Sequence, residues 1–385
     1  MPQQVPTRIA ILIRGHLGAY LNRMVLGVAE YARLKGNWNI HGLFVGRPAA
    51  IARVDADGLI VFQGGPDLVR GGTPTVHVGT RPEGEGLPGN VRSDNHAIGE
   101  AAAEHLLERG LRYFAAVGDR TRSPSSQQRY GGFRARIERA GMQFLAGPNV
   151  NAQRLDERRN LASLQRWIAT LPKPIGIMGF NDVVARQVAD ACRLDGEAVP
   201  DRVAIIGVDN EELMCMLSDP PLSSVDPGAS RVGYQAAALL DRIMGGERPS
   251  VSPVLVPPIG VVARQSSDVL AIDDADVAAA VKYIRAYCSS PMTVADVTRH
   301  VALPRRSLDR RFRQRLGRSV HEELQGARIR RASQLLATSN LKIPQVARQC
   351  GYGSREYFSA AFVRVMGEPP ASYRRKHQLQ ARAPF

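Results

Sequence analysis

Apolar and polar positions alternate along the first part of the chain in a way that predicts short strands separated by helices. The apolar run Arg8–Ile13 predicts a buried strand, and apolar residues at helical spacing follow it in Tyr20–Lys35. The pattern continues to the helix Ser230–Met244, which a glycine again follows. Further strands are predicted at Ile40–Val45, Gly58–Phe62, Thr75–Val78, Tyr113–Val117, Gly176–Gly179 and Arg202–Val208, and further helices at Asn95–Arg109, Gln127–Ala140, Leu155–Thr170 and Asp182–Asp195.

This alternation indicates parallel βαβ units. A series of this length predicts an α/β domain of two doubly wound lobes, with a ligand at the carboxyl ends of the strands. No G-x-G-x-x-G sequence follows the first strand, and the sequence contains no G-x-x-x-x-G-K-[ST]. No dinucleotide or nucleoside triphosphate is therefore predicted, and no other cofactor.

The pattern changes around Pro249–Asp276, where prolines precede an acidic segment that opens a purely helical region. We place the boundary between an α/β domain of residues 1–268 and an all-α domain of residues 269–385. Two segments of the second domain, Val297–Gly317 and Val346–Gly367, resemble each other. Each predicts a short helix, a turn and a second helix that ends at glycine, which indicates helix-turn-helix motifs at about 293–317 and 342–367.

The second helices of the two motifs carry apolar residues on one face and charged residues on the other. The apolar face pairs Phe312 with Phe362. A helix fits the major groove of DNA, where arginine bonds guanine edges and acidic groups accept from cytosine. The segment Ser319–Thr338 predicts a spacer helix roughly 30 Å long, close to the distance of about 34 Å between successive major-groove faces. The candidate DNA-binding residues are Arg305, Arg306, Asp309, Arg310, Arg313, Arg355, Glu356 and Ser359.

The charge distribution agrees with a nucleic-acid partner. The formal net charge is +15, and residues 271–385 carry 21 Lys and Arg against 9 Asp and Glu. Most of the excess therefore lies in less than a third of the chain, as in a polyanion-binding module. Solvated arginines or a membrane-surface patch are the alternatives, and the repeated motif favours double-stranded DNA.

Several other classes of protein are excluded by the sequence. No apolar run is long enough to span a membrane, and the apolar stretch near the N-terminus is too short for a secretory signal. Four widely separated cysteines argue against disulfides and zinc modules, and they predict a cytoplasmic protein without a bound metal. An enzyme would need a nucleophile at a strand-to-helix elbow, and no G-x-S-x-G sequence is present.

The segment Leu341–Arg374 resembles the signature of AraC-type transcription regulators. The resemblance covers about a hundred residues and implies base-reading positions at Arg306, Asp309, Arg310, Arg355, Glu356 and Ser359. Two residues depart from the family pattern. Pro304 replaces a serine-like helix cap, and Ala360 replaces a frequent arginine, so the second helix is expected to read fewer bases than the first.

Residues 8–265 resemble the sugar-binding domain of LacI-type repressors, which is similar to periplasmic binding proteins. The resemblance is carried by Asp94-Asn95, Arg129–Phe133, Phe180–Asp182 and Asp209–Leu213. It implies sugar ligands because carboxylates, amides and guanidinium groups bond paired hydroxyls. Arg14 and His16 are weaker candidates. Where Pro227 replaces a polar ligand, the contact is either lost or replaced by one from Asp226. The predicted ligand residues are Arg129, Asn181, Asp182, Asp209 and Asp94, with Phe180 as an aromatic face; Asp94 and Asp182 are equally explained as helix caps.

A LacI-type ligand-binding domain (here the sensor, residues 1–268) before an AraC-type DNA-binding domain (here the reader, residues 269–385) is the layout of bacterial xylose operon regulators. The resemblance implies a homodimeric activator of pentose catabolic genes with D-xylose as effector and RNA polymerase as a further partner. Two alternatives remain open: another small ligand, or a sensor that responds only to a protein partner. An enzyme-fused regulator is not favoured.

Overall fold

The computed structural model describes residues 6–13, 18–44, 56–62, 72–81, 87–119, 123–150, 157–269, 272 and 274–377. The predicted fold class is confirmed, with a two-lobed α/β domain followed by a helical one. The strands of the described residues are β1 (Thr7–Ile13), β2 (Trp38–Phe44), β3 (Gly58–Phe62), β4 (Thr75–Val78), β5 (Asn90–Ser93), β6 (Tyr113–Val117), β7 (Gln143–Ala146), β8 (Ile175–Gly179), β9 (Val203–Val208), β10 (Ser223–Asp226), β11 (Val254–Val256) and β12 (Gly260–Val262).

The helices follow the same division of the chain. Seven lie in the α/β domain and seven in the helical domain, counted over the ranges described above. They are α1 (Ala19–Lys35), α2 (Asn95–Leu107), α3 (Pro124–Arg139), α4 (Glu157–Ala169), α5 (Asp182–Leu194), α6 (Glu212–Leu217), α7 (Ala229–Met244), α8 (Ala275–Tyr287), α9 (Val294–His300), α10 (Arg305–Leu316), α11 (Val320–Thr338), α12 (Ile343–Gln349), α13 (Arg355–Met366) and α14 (Pro370–His377).

Each lobe is built on one six-stranded sheet. The first lobe has the strand order β11-β5-β4-β3-β1-β2, with α1 and α7 packed on it. The second has the order β12-β10-β9-β8-β6-β7 and includes α2 to α6; its strands are parallel except for the antiparallel pair β10–β12. The chain crosses between the sheets after β5, β10 and β11, so three segments form the hinge.

The strands that the pattern did not predict are short. β5, β7 and β10 have four residues each, and β11 and β12 have three. Length alone is not the reason, because the four-residue strand β4, which has three β-branched residues, was predicted. Strands β5 and β10 each contain a single apolar residue, and β7 is exposed at both ends. The strands it did predict, such as β3 and β9, are buried along their whole length.

Two helix pairs are in backbone contact through glycines. In the second lobe, a Cβ on Gly99 of α2 would overlap the carbonyl oxygen of Arg129 in α3, and a Cβ on Gly132 would overlap that of His96. In the first lobe, Gly27 of α1 and Gly233 of α7 approach the partner helix in the same way. Each pair is therefore held at a distance that only glycine permits.

The helical domain consists of two helix-turn-helix units on one spacer. Phe312 and Phe362 are fully buried, each in its own core, and α11 contributes residues to both. The recognition helices α10 and α13 end at Gly317 and Gly367, which adopt the left-handed conformation that closes a helix. Val269 still packs in the second lobe, and α8 begins at Ala275.

Adjacent glycines of α3 provide a test of the close α2–α3 contact. We expect Gly132→Ala to lower the free energy of unfolding by about 1–3 kcal/mol, because the methyl group would enter the backbone of α2. Gly131→Ala is the matched control, since its Cβ meets nothing within 4 Å and alanine favours a helix by about 1 kcal/mol. Urea unfolding of both variants measures the difference, and equal stabilisation by the two would contradict the contact.

Candidate ligand cleft and nucleic-acid interface

Four of the predicted ligand residues lie where strands of the second sheet end, facing the first lobe. Phe180, Asn181 and Asp182 follow β8, and Asp209 follows β9. Asp94 follows β5 at the first hinge crossing. The carboxyl ends of parallel strands thus bring these residues together at the cleft between the lobes, as expected for this fold.

Arg129 is the central group of the cleft. Its side chain is 7% exposed. Its Nε donates to Asn95 Oδ1 at 2.8 Å, one terminal nitrogen donates to the carbonyl oxygen of Phe180 at 2.6 Å, and the other donates to Asp209 Oδ1 at 3.3 Å. A guanidinium has five N–H donors, so two remain for a ligand.

Asp209 occupies a strained turn after β9. Its φ is 104° and that of Asn210 is 47°, conformations that non-glycine residues rarely adopt. Such strain persists where surrounding contacts impose it, often at ligand sites. Burial raises the pKa of Asp209, whereas the charges of Arg129 and Arg23 oppose that rise.

Asp182 lies beneath this turn rather than on its surface. Its carboxylate accepts hydrogen bonds from Ser224 Oγ at 2.6 Å and from the backbone N–H of Glu211 at 2.7 Å, and the residue is 1% exposed. These contacts fix the loop that carries Asp209. A direct contact of Asp182 with a ligand stays a prediction.

Asp94 and Asn181 both cap helices in the structure. Asp94 Oδ1 accepts from the backbone N–H of Ala97, and Asn181 Oδ1 accepts from that of Val184. Asp94 therefore caps α2, as the helix-cap interpretation expects. Helix α5 is capped by Asn181 rather than by Asp182. Phe180 packs against the core of the second lobe and is half-buried. Arg14 and His16 lie outside the described residues.

The first lobe contributes residues that the sequence did not point to. Tyr20 Oη lies 2.6 Å from Ser93 Oγ, and burial raises the pKa of this phenol. Arg23 donates to the carbonyl oxygen of Asp209 and pairs with Asp226 at 3.7 Å. Both residues lie in the first two turns of α1, where the sequence was read for its apolar stripe alone.

A cavity of about 550 Å³ opens beside this cluster. Its volume is in the range of small-molecule sites, which is about 300–1,000 Å³. Arg23 and Asn210 connect it to the turn at Asp209. Its described lining is Ala19, Arg23, Asn210, Glu211, Glu212, Leu213 and Arg264.

The first recognition helix presents a basic face. Arg306, Arg310 and Arg313 are exposed and lie at i, i+4 and i+7 on α10, so they share one face. Arg305 is also exposed and lies 3.8 Å from Asp309. An exposed basic face of this kind suits contact with a phosphate backbone and with guanine edges.

Asp309 differs from the arginines around it. Its side chain is only 20% exposed, and Oδ1 accepts a hydrogen bond from the backbone N–H of Val320 at 3.0 Å. This bond joins the recognition helix to the start of α11. A base contact by Asp309 stays a prediction, and its carboxylate already has a structural partner.

The second recognition helix presents fewer charges. Arg355 and Glu356 are exposed at the start of α13, Ser359 is half-buried, and Ala360 is exposed. Behind this helix, Tyr352 Oη donates to Gln325 Oε1 at 2.8 Å, and Gln325 Nε2 donates to Tyr357 Oη at 3.2 Å. These bonds fix α13 on the spacer helix.

Neither a metal-binding cluster nor a membrane-spanning helix occurs in the part of the chain that the structure describes. No group of three or more His, Cys, Asp or Glu there is arranged to hold a metal ion. None of the helices there combines the length and apolarity that a membrane span needs.

Comparison with known proteins assigns both halves of the chain. A model of a periplasmic binding protein-like domain matches residues 103–267, and a model of a helix-turn-helix domain matches residues 297–376. The chain is 31% identical over 382 residues to the xylose operon regulatory protein of Haemophilus influenzae, which covers 95% of this chain and 98% of that protein. The protein of the same name from Escherichia coli K12 is 31% identical over 325 residues, or 84% of this chain and 80% of the relative.

Solved structures agree with these matches. The structure of a xylose-binding transcription activator aligns with a TM-score of 0.62 and 29% identity over 97% of this chain and 99% of that one. A transcriptional regulator in complex with cellobiose aligns with a TM-score of 0.57 over 69% of this chain and 86% of that one. At 20% identity, this alignment shows only that the two proteins share a fold.

The buried carboxylate of Asp182 makes stability depend on pH. Burial and the charge of Asp209 raise its pKa from 3.8 to about 7, so between these values the folded protein holds a proton that the unfolded chain has lost. The free energy of unfolding should therefore fall as pH rises through this window, by up to about 1.4 kcal/mol per pH unit. Asp182→Asn removes this contribution. Urea unfolding at about pH 5 and about pH 7 should show wild type losing stability relative to the variant; parallel pH dependences would contradict the assignment.

The arginine face of α10 predicts a specific effect on DNA affinity. Arg310→Ala should weaken binding to a preferred duplex by about 1–3 kcal/mol and relax specificity at one base pair, because a bidentate contact would be lost. Arg193→Ala removes the same charge from the surface of the second lobe and serves as control. Fluorescence anisotropy against a set of duplexes measures both. A loss that is uniform over all sequences would mean that Arg310 contacts only phosphate.

Proposed function

The chain belongs to the family of the xylose operon regulatory proteins, and we propose that it is a D-xylose-responsive activator of transcription. It is a DNA-binding regulator that joins a periplasmic-binding-protein-like sensor to an AraC-type reader, which confirms the predicted layout, and it is not an enzyme. The sugar, the activating sign, the cytoplasmic location, the homodimer and a contact with RNA polymerase are parts of the proposal.

The pairing of Arg129 with Asp209 at the cleft is the observation that carries the sugar hypothesis. A pentose presents neighbouring hydroxyls, each a donor and an acceptor. The two unused N–H groups of Arg129 suit hydroxyl oxygens, and the carboxylate of Asp209 suits hydroxyl hydrogens. Because the two groups already bond each other, a sugar bridging them finds them oriented before it binds.

Contacts across the cleft suggest how occupancy would reach the DNA. Arg23 of the first lobe bonds the turn of Asp209 in the second lobe, so the lobes meet at the ligand site itself. A sugar there would favour one relative placement of the lobes and, in a dimer, one placement of the two readers. The first recognition helix, with its larger number of exposed arginines, would supply more of the DNA affinity.

Calorimetric titration with D-xylose, L-arabinose and D-ribose tests the proposal. We expect heat with D-xylose and a loss of affinity of at least about a hundredfold in Arg129→Met, because one charged group would lose several hydrogen bonds. Arg134→Met, on the exposed side of the same helix, is the control that should bind normally. Absence of heat with every pentose would reject the sugar and favour a sensor of another ligand or of a protein partner.

A further inference from the structure

The sensor and the reader touch at the end of α2. Glu108, the residue that follows this helix, is buried, and its Oε1 lies 2.5 Å from a guanidinium nitrogen of Arg330 in α11. Its carbonyl oxygen accepts a hydrogen bond from Arg285 in α8 at 2.9 Å. We call these three residues the clasp. It joins one helix of the second lobe to two helices of the reader.

The clasp is braced on both sides. On the sensor side, Arg109 donates to the carbonyl oxygens of Ser267 and His105, each at 2.9 Å, which fixes the end of α2 against the last segment before the reader. On the reader side, Arg330 lies 3.7 Å from Glu323, at the start of the same spacer helix. A movement at the end of α2 would therefore be passed to the helix that carries both helix-turn-helix units.

The other end of α2 lies at the effector cleft. Asn95, its first residue, accepts the hydrogen bond from Arg129 Nε, and Gly99 one turn later contacts the carbonyl oxygen of Arg129. The helix has 13 residues and so spans about 20 Å. Helix α2 thus contacts Arg129, the proposed sugar-binding residue, at the first turn of the helix and contacts the reader at the last turn.

The contact between Glu108 and Arg330 is made by charged groups, and water can replace it when the sensor and the reader separate. The carboxylate of Glu108 is buried at a desolvation cost, whereas the side chain of Arg330 is 42% exposed, so solvent weakens the attraction that offsets this cost. Undocking the reader would return Glu108 to water, which offsets much of the lost attraction. Small differences in the position of α2 can then shift the balance between docked and undocked readers.

We propose that the clasp is the intramolecular interface that links occupancy of the sugar cleft to the affinity of the reader for DNA. The inference rests on the proposed function, since it names the route by which the cleft regulates the reader. It requires that sugar and DNA affinities are coupled and that the coupling depends on the pair Glu108–Arg330.

The double variant Glu108→Gln/Arg330→Gln removes both charges of the pair, while buried Arg109 keeps its hydrogen bonds to the carbonyl oxygens of Ser267 and His105. The probe is a duplex selected by the wild-type protein from a random-sequence library, and its affinity is measured with and without saturating D-xylose. The ratio of the two affinities should stay at its wild-type value in the control Arg331→Gln, an exposed neighbour whose Nε donates to the carbonyl oxygen of Gln349 at 3.4 Å. In the double variant the ratio should fall to near one, while D-xylose affinity without DNA stays unchanged.

A wild-type ratio in the double variant would overturn the proposal and place the coupling elsewhere, for example at a dimer interface. If no pentose binds, the proposed function fails separately, and calorimetric unfolding then tests the clasp. The selected duplex should raise the unfolding temperature of the sensor in wild type and in Arg331→Gln but not in the double variant. An equal rise in all three proteins would also overturn the clasp.

Discussion

Direct backbone contact between paired helices is the constraint on which the two lobes depend. Gly99 and Gly132 bring α2 against α3, and Gly27 and Gly233 bring α1 against α7. Interiors packed this closely transmit displacement instead of absorbing it. Each lobe is therefore packed as one unit, and three segments connect the two sheets.

This constraint places the ligand groups on rigid supports. Arg129 belongs to the α2–α3 pair, whereas Tyr20 and Arg23 belong to the α1–α7 pair. The proposed sugar cleft lies between these two packed units, so a small molecule bonded to both sides would act on their relative placement rather than on a local loop. The two lobes meet at the strained turn of Asp209, where Arg23 of the first lobe bonds the carbonyl oxygen of Asp209.

Much of the fold followed from local patterns, because long elements repeat their signal. Two helices with matching apolar faces, which contain Phe312 and Phe362 and each end at a glycine, predicted two similar units. The structure has both units. Strands β5 and β10 were missed because each has only one apolar residue among its four, which gives no pattern to recognise. Both carry hinge crossings, so the pattern predicted the lobes but not how the chain passes between them.

The site was only partly predictable, because its contacts join distant parts of the chain. Resemblance pointed to Arg129 and Asp209, which the structure brings together. Nothing local marks Arg23, which meets Asp209 across 186 positions of sequence. Asp309 shows the opposite case, since its position on the recognition helix suggests a base contact while the bond to Val320 appears only in the folded domain.

We propose that sugar binding at the cleft and DNA binding by the reader are thermodynamically coupled, and a reciprocal titration tests this coupling most directly. D-xylose is titrated calorimetrically into the wild-type protein, once alone and once saturated with its selected duplex. Linkage requires the duplex to tighten D-xylose binding by the same factor by which D-xylose tightens duplex binding, and that factor should exceed one. The same dissociation constant for D-xylose with and without the duplex would contradict the account.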